Sequence, residues 1–185
     1  MPTERDPLRI LCTRNFEGHY RVDRVVVAFQ KIKEKIPTAQ LTLVGNGSLK
    51  TDLMELVSKR RLTDIFFLGQ VHNNDIERFY HESNLYLNAS VIDNLPISLL
   101  EAMAAGLITV STAAGGIPYF LQHGVNGILV YSGEPESLAN AVLDVYGDHD
   151  LWHNIQINAQ QYAQQYTAEK VCVLWERLYL GLSQG

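Results

Sequence analysis

Two periodicities alternate along the chain. Leu8-Arg9-Ile10-Leu11-Cys12-Thr13 is a short apolar run with the character of a buried strand. Val22, Val25, Val26, Phe29, Ile32 and Ile36 then recur at helical spacing, and Pro37 stops that helix. Leu41-Thr42-Leu43-Val44 is a second strand, closed by Gly45-Asn46-Gly47, and Leu49, Leu53, Leu56 and Val57 mark a second helix. Ile65-Phe66-Phe67-Leu68-Gly69 is a third strand. Asn73 or Asn74 is a capping residue for a helix that carries Ile76, Phe79 and Tyr80. Asn84-Leu85-Tyr86-Leu87-Asn88, Leu107-Ile108-Thr109-Val110 and Gly127-Ile128-Leu129-Val130 read as three further strands. Between the fourth and fifth, Pro96 suits the first turn of a helix that runs to about residue 105 and ends at Gly106. Leu138, Ala141, Val142 and Val145 mark a helix, Ile157 and Tyr162 a surface helix, and Val171, Leu174, Trp175, Leu178 and Leu182 a last one capped by Thr167.

Strands of nearly continuous apolar character that alternate with helices specify a parallel sheet covered on both faces. The expected fold is α/β: a single doubly wound Rossmann-like domain over residues 1–185, with about six parallel strands and helices on both faces. No repeat or interior linker interrupts it.

In such sheets ligands bind beyond the carboxyl ends of the strands. The informative segments are therefore Arg14-Asn15, Gly45-Asn46-Gly47, Gly69-Gln70-Val71-His72, the loop 89–98 and the loop 113–118. Their glycines let a flat or phosphorylated ligand approach backbone amides, which points to a nucleotide site. No GxGxxG follows the first strand, which weakens a dinucleotide reading, and no GxxxxGK[ST] exists, which excludes a P-loop. The most specific segment is Asp93-Asn94-Leu95-Pro96-Ile97-Ser98-Leu99-Leu100-Glu101-Ala102-Met103-Ala104-Ala105-Gly106. It places one acid before a helix and a second about two turns inside it. The helix start can receive a phosphate. Asp93 can accept from hydroxyls or cap the helix. Glu101 suits a vicinal diol such as ribose, and in so apolar a stretch an acid needs a partner or a ligand.

This segment resembles the Glu-x7-Glu signature of the group 1 (glycogen-synthase-like) retaining glycosyltransferases, which are built from two Rossmann domains (the GT-B fold). Asp93 stands in place of the first Glu and Glu101 in place of the second. Pro37 to Gly47, Phe66 to Val71, Gly115-Gly116-Ile117-Pro118 and Gly124 to Val130 resemble further stretches of the family, in the same order. The resemblance runs from Leu8 to Tyr179 and covers only the C-terminal, donor-binding half of such an enzyme. It implies a nucleotide-diphosphate sugar as donor and transfer of its sugar to an acceptor hydroxyl, in polysaccharide or glycoconjugate biosynthesis. It implies no metal and no cofactor. It implies that Arg14, Asp93 and Glu101 are the catalytic set. Arg14 would neutralise the diphosphate, Asp93 would hold a hydroxyl of the transferred sugar and Glu101 the ribose. Gly45 and Gly47 would let the nucleotide lie close, and Val71 would present backbone to the base. Backbone groups of Asn94, Leu95, Pro96 and Ile97 would face the sugar and diphosphate, Pro96 through its carbonyl alone. The acceptor site would belong to an absent N-terminal domain or a partner chain. The resemblance leaves room for peripheral membrane association of the full-length enzyme.

Three departures stand out. The Lys-Gly pair expected shortly after Arg14 is missing from Glu17-Gly18-His19-Tyr20-Arg21-Val22-Asp23, so Arg21 is the candidate replacement. Asp93 is one methylene shorter than Glu, and Tyr119 stands where the family often has Glu. Two alternatives remain: a non-catalytic or partner-dependent nucleotide-sugar-binding subunit, and a sugar-nucleotide epimerase with His72 and Asp93 as its only acid/base groups.

Composition narrows the classes further. Of the 185 residues, 46% are hydrophobic and 19% charged, as in a globular domain. The net charge of −5 excludes a chain-wide basic footprint for nucleic acid. No run approaches the roughly 18 apolar residues of a membrane span. The opening residues 1–6 lack a signal peptide's apolar core, so a cytoplasmic chain is expected. Cys12 and Cys172 are expected as two buried free thiols. The six histidines show no metal spacing; His149 and His153 are four apart without an adjacent acid pattern. Trp152, Trp175, Tyr162 and Tyr166 are expected to pack rather than to stack on a ligand.

Overall fold

The computed structural model describes residues 7–182. Six strands form one parallel sheet: β1 (Arg9–Cys12), β2 (Gln40–Val44), β3 (Ile65–Gly69), β4 (Leu85–Asn88), β5 (Ile108–Thr112) and β6 (Ile128–Val130). Their order is β3-β2-β1-β4-β5-β6. The helices are α1 (Val22–Lys35), α2 (Lys50–Lys59), α3 (Asn73–His81), α4 (Ile97–Ala104), α5 (Pro135–Gly147), α6 (His149–Ala163) and α7 (Ala168–Leu182), with short 3₁₀ turns at Ile117–Tyr119 and Gln164–Tyr166. The doubly wound α/β fold expected from the alternating pattern is the one observed.

Each strand divides its side chains between two cores, because successive residues point to opposite faces. Ile10, Cys12, Leu85, Leu87, Ile108 and Val110 face Val25, Val26, Phe29 and Ile32 of α1 and Leu138, Val142 and Val145 of α5. Leu11, Tyr86 and Leu129 face Leu99 and Met103 of α4 and Ala159 and Ala163 of α6. Ile10 is in register with Leu41 on one side and Leu85 on the other, so β1 is a central strand. The chain winds outward through β2 and β3, then returns to the opposite side of β1 with β4. The order of connection therefore reverses between β1 and β4 while the strands stay parallel, and the loops leaving these two strands face each other across a crevice.

Several local expectations need adjusting. β3 is an edge strand, so Phe66 and Leu68 are largely exposed rather than buried, while Phe67 meets the Phe16 ring edge-on at 6.1 Å. Pro96 lies one residue before α4, not in its first turn. His72 occupies the position before α3, so neither Asn73 nor Asn74 caps it. α6 begins at His149, well before the expected surface helix, and buries Trp152, Ile155 and Ala159. Thr167 does cap α7: its Oγ1 accepts from the Lys170 amide at 3.4 Å. Yet α7 packs little of its apolar face. Leu174, Trp175 and Tyr179 are all more than half exposed, so Trp175 is not a core residue and stacks instead on Tyr179. Among the described residues no helix is long and apolar enough to cross a membrane.

Candidate functional site

Arg14 follows β1 by two residues and is only 8% exposed. A buried guanidinium must find acceptors or carry a large desolvation cost. It finds Asp93, on the loop after β4, through Nη2–Oδ2 at 2.5 Å, and Asn88 Oδ1 through Nε at 3.2 Å. The Tyr20 ring lies 5.1 Å from its carbon centre. Asn88 is held in turn: Ser90 Oγ donates to its Oδ1 at 2.7 Å, and its Nδ2 donates to Ser111 Oγ at 2.9 Å. Thr112 Oγ1 donates to the Ser90 carbonyl at 2.5 Å. The crevice floor is thus a polar network built from the ends of β4 and β5, with a cation aimed by it. Arg14 and Asp93, each expected to face a ligand, here face each other.

The loop from β4 to α4 is clamped by glycines. A Cβ on Gly115 would overlap the Asp93 carbonyl, and one on Gly116 the Asn94 carbonyl; Gly115 also has φ +51°. The Gly116 amide donates to the Asp93 carbonyl at 2.9 Å. The Pro96 carbonyl, expected to face a ligand, accepts from the Leu99 amide at 3.0 Å as the first acceptor of α4. Asn94, Leu95 and Ile97 are exposed at the rim, next to the positive end of α4.

Glu101, one turn inside α4, is exposed, and its partner is Tyr80 at the end of α3. Tyr80 Oη donates to Glu101 Oε2 at 2.8 Å. Burial pushes both the Tyr80 and Tyr86 hydroxyls well above the usual phenol range, so both remain protonated donors. A cavity of about 310 Å³ opens beside Tyr80, Glu101, Ile76, His81 and Ala105. A larger one, about 830 Å³, lies beyond β3 and is lined by Gln70, Val71, His72, Asn74 and Asp75.

Gly45 and Gly47 serve first to let two loops touch. A Cβ on Gly45 would overlap the Arg14 carbonyl, and one on Gly47 would lie 2.6 Å from the Phe16 carbonyl oxygen. Gly45 has φ +151° and donates its amide to the Gly69 carbonyl at 2.8 Å. The Glu17 carboxylate accepts from the Ser48 amide at 2.9 Å and from Ser48 Oγ at 2.8 Å. Those two bonds hold the Glu17 carboxyl below its usual range.

Arg21 does not enter the crevice. It stands at φ 49° just before α1, and its guanidinium grips Asp23 through two bonds of 2.9 and 2.8 Å. Tyr119 is 90% exposed and lies on the surface. Cys12 is buried, which pushes its thiol up to about 11, whereas Cys172 is exposed, against the expectation of two buried thiols. His149 and His153 both lie within α6. Among the described residues no group of three or more His, Cys, Asp or Glu is placed to hold a metal ion. The sequence reading passed over Thr13, Tyr80, Tyr86, Asn88, Ser98 and Ser111. For Thr13, Asn88 and Ser111 the signal was a polar residue at the carboxyl end of an otherwise apolar strand.

A 3-2-1-4-5-6 sheet with a cation buried at its reversal point defines a doubly wound domain of the kind that binds phosphorylated ligands in that crevice. Residues 2–162 match the family described as Glycosyl transferases group 1, and the chain belongs to that family. It is 33% identical over 167 residues to N-acetyl-alpha-D-glucosaminyl L-malate synthase of Bacillus anthracis, covering 89% of this chain and 43% of that protein. Its fold superposes on the pneumococcal O-GlcNAc transferase GtfA, solved with UDP and GlcNAc, with a TM-score of 0.86 at 18% identity, over 97% of this chain and 36% of that one. It also matches a solved C-terminal domain of LpcC, a glycosyl transferase group 1 family protein from Francisella tularensis, with a TM-score of 0.78 at 21% identity, over 86% of this chain and 85% of that one. The chain therefore spans less than half the length of the full-length relative and about the whole of the isolated domain.

Proposed function

We propose that the chain is the donor half of a two-domain retaining glycosyltransferase: it binds a nucleotide-diphosphate sugar for transfer to an acceptor hydroxyl in polysaccharide or glycoconjugate synthesis. The observation that carries this reading is Arg14, a guanidinium buried where the strand order reverses and paired with Asp93 on the loop that leads into α4. A cation held in place before the reaction stabilises the departing diphosphate without reorganising. In this reading Arg14 and the first amides of α4 take the diphosphate, and the backbone of Asn94, Leu95 and Ile97 lines its path. Glu101 takes the ribose hydroxyls. The Val71 backbone, in the 830 Å³ cavity, meets the base. Asp93 takes a hydroxyl of the sugar once the diphosphate has drawn Arg14 away from it. In this reading Arg14 and the helix amides meet the diphosphate charge without a metal.

The acceptor site belongs to a further domain or a partner chain. The exposed apolar face of α7 at Leu174, Trp175 and Tyr179 fits such a contact. Transfer requires an acceptor hydroxyl held near the anomeric carbon, and such positioning supplies about 7–11 kcal/mol of a barrier. The 185 residues alone should therefore bind donor and transfer nothing. Two free thiols, one buried and one exposed, suit a reducing compartment, and a cytoplasmic site is proposed on that ground. Titration calorimetry with UDP, UMP, GDP and GMP tests the reading. A diphosphate should bind more tightly than its monophosphate, and the gap should close in Arg14→Ala. Equal affinity for mono- and diphosphates, or no binding of any, contradicts it.

A further inference from the structure

An exposed glutamate samples several rotamers unless something holds it. Glu101 is exposed, yet its Oε2 is held by Tyr80 Oη at 2.8 Å. Tyr80 is itself 3% exposed, so its hydroxyl has no bulk water to exchange for this acceptor. Nor is Tyr80 free to turn. Its ring stacks on Tyr86 at 6.2 Å, and Thr13 Oγ1 lies 3.1 Å from its Oη. Thr13 Oγ1 is also 3.0 Å from Tyr86 Oη, and Tyr86 donates to Ser98 Oγ at 3.0 Å. This hydroxyl cluster joins four elements at one point. Thr13 is the residue before Arg14, Tyr80 ends α3, Tyr86 belongs to β4, and Ser98 sits one turn before Glu101 on α4. A carboxylate has two oxygens, and this arrangement engages one of them.

We infer that Tyr80 is a positioning residue for donor binding: its hydroxyl, backed by Thr13 and Tyr86, fixes the Glu101 carboxylate so that Oε1 is presented to a vicinal diol. The inference rests on the assignment of Glu101 to the ribose made above. Tyr80 acts through Glu101, so removing its hydroxyl should harm only ligands that carry the diol. A residue that merely tied α3 to α4 would affect every ligand of the crevice alike.

The test is calorimetry on wild type and Tyr80→Phe with UDP, 2′,3′-dideoxy-UDP and inorganic pyrophosphate. For UDP the Kd should weaken about three- to tenfold, because the Glu101 bonds to the diol survive and only the side-chain ordering supplied by Tyr80 is lost. For dideoxy-UDP and pyrophosphate it should stay within about twofold, since neither offers a diol. An unchanged UDP affinity overturns the inference, as does an equal loss on all three ligands. Wild type that binds pyrophosphate but gains nothing from the UDP diol over dideoxy-UDP overturns the Glu101 assignment, and the inference with it. Wild type that binds none of the three overturns the donor-site reading itself. Should Tyr80→Phe be recovered only unfolded, Thr13→Val removes the backing hydroxyl instead. It should show the same diol-selective loss, and an equal loss on UDP and pyrophosphate again overturns the inference.

Discussion

Asp93→Asn removes the charge that Arg14 faces in the ligand-free chain. The pair is largely buried, with side-chain exposures of 10% for Arg14 and 12% for Asp93. Removing one partner of a buried pair outright costs about 3–5 kcal/mol, because the other is left uncompensated. Asparagine keeps the shape and one carbonyl acceptor, and Arg14 retains Asn88 at 3.2 Å and the Tyr20 ring. The expected loss is therefore about 2 kcal/mol, or roughly 4–8 °C in Tm for a chain of this size. Nucleotide binding should move the opposite way. In wild type the incoming diphosphate meets a carboxylate already 2.5 Å from the same guanidinium. Two anions about 4 Å apart repel by at most about 4 kcal/mol at the effective dielectric of a protein surface, and relaxation of Asp93 away from the ligand removes most of that. UDP should bind Asp93→Asn about tenfold more tightly, which is about 1.4 kcal/mol. A UDP-sugar should gain less than UDP, because it loses the acceptor for its sugar hydroxyl. Thermal melts and calorimetry on the same two proteins supply all three quantities. A variant as stable as wild type, or one that binds UDP less tightly, would refute the competition between Asp93 and the diphosphate.

Other consequences are local. Gly116→Ala would place a Cβ on the Asn94 carbonyl, which only a shift of the β4–α4 loop can relieve; a loss of about 2 kcal/mol or more is expected in denaturant melts, with weaker UDP binding, and unchanged values would contradict the clamp. Glu17 provides a pH dependence. Its carboxyl is held below the ordinary value of 4.5 by the Ser48 amide and hydroxyl. The folded pKa is thus the lower one, so its contribution is present at neutral pH and is lost as pH falls through that lowered value. Wild type should lose stability relative to Glu17→Gln between about pH 5 and 3, and parallel curves would show that the Ser48 bonds do not persist in solution.

The alternation of apolar strands with amphipathic helices was enough to specify six parallel strands and their helices, since buried parallel strands carry no other pattern. The strand order was legible only through the fold class, because periodicity says nothing about which neighbour a strand takes. That is why β3 was read as buried when Phe66 and Leu68 lie on an edge. Cap positions depended on one or two residues of backbone conformation, so Asn73, Asn74 and Pro96 were each placed slightly wrongly. Trp175 on α7 was misjudged for a different reason: amphipathic spacing marks a face that wants a partner, not one that has it. The segment from Asp93 to Gly106 exposed its two acids to view, and the structure puts both near the reversal point of the sheet. What no linear reading held were the pairings. Arg14 and Asp93 are 79 residues apart, and Tyr80 and Glu101 are 21 apart. Each polar group looked free until the fold supplied its partner.

Whether the crevice between β1 and β4 is the nucleotide-diphosphate site is decided by a crystal structure of the chain with UDP. The expected complex has the diphosphate on Arg14 and at the start of α4, the ribose hydroxyls on Glu101 with Tyr80 still bonded to Oε2, and the Arg14–Asp93 pair opened. A nucleotide found elsewhere, such as in the cavity of about 510 Å³ between β6 and α5, with the Arg14–Asp93 pair intact, would contradict it.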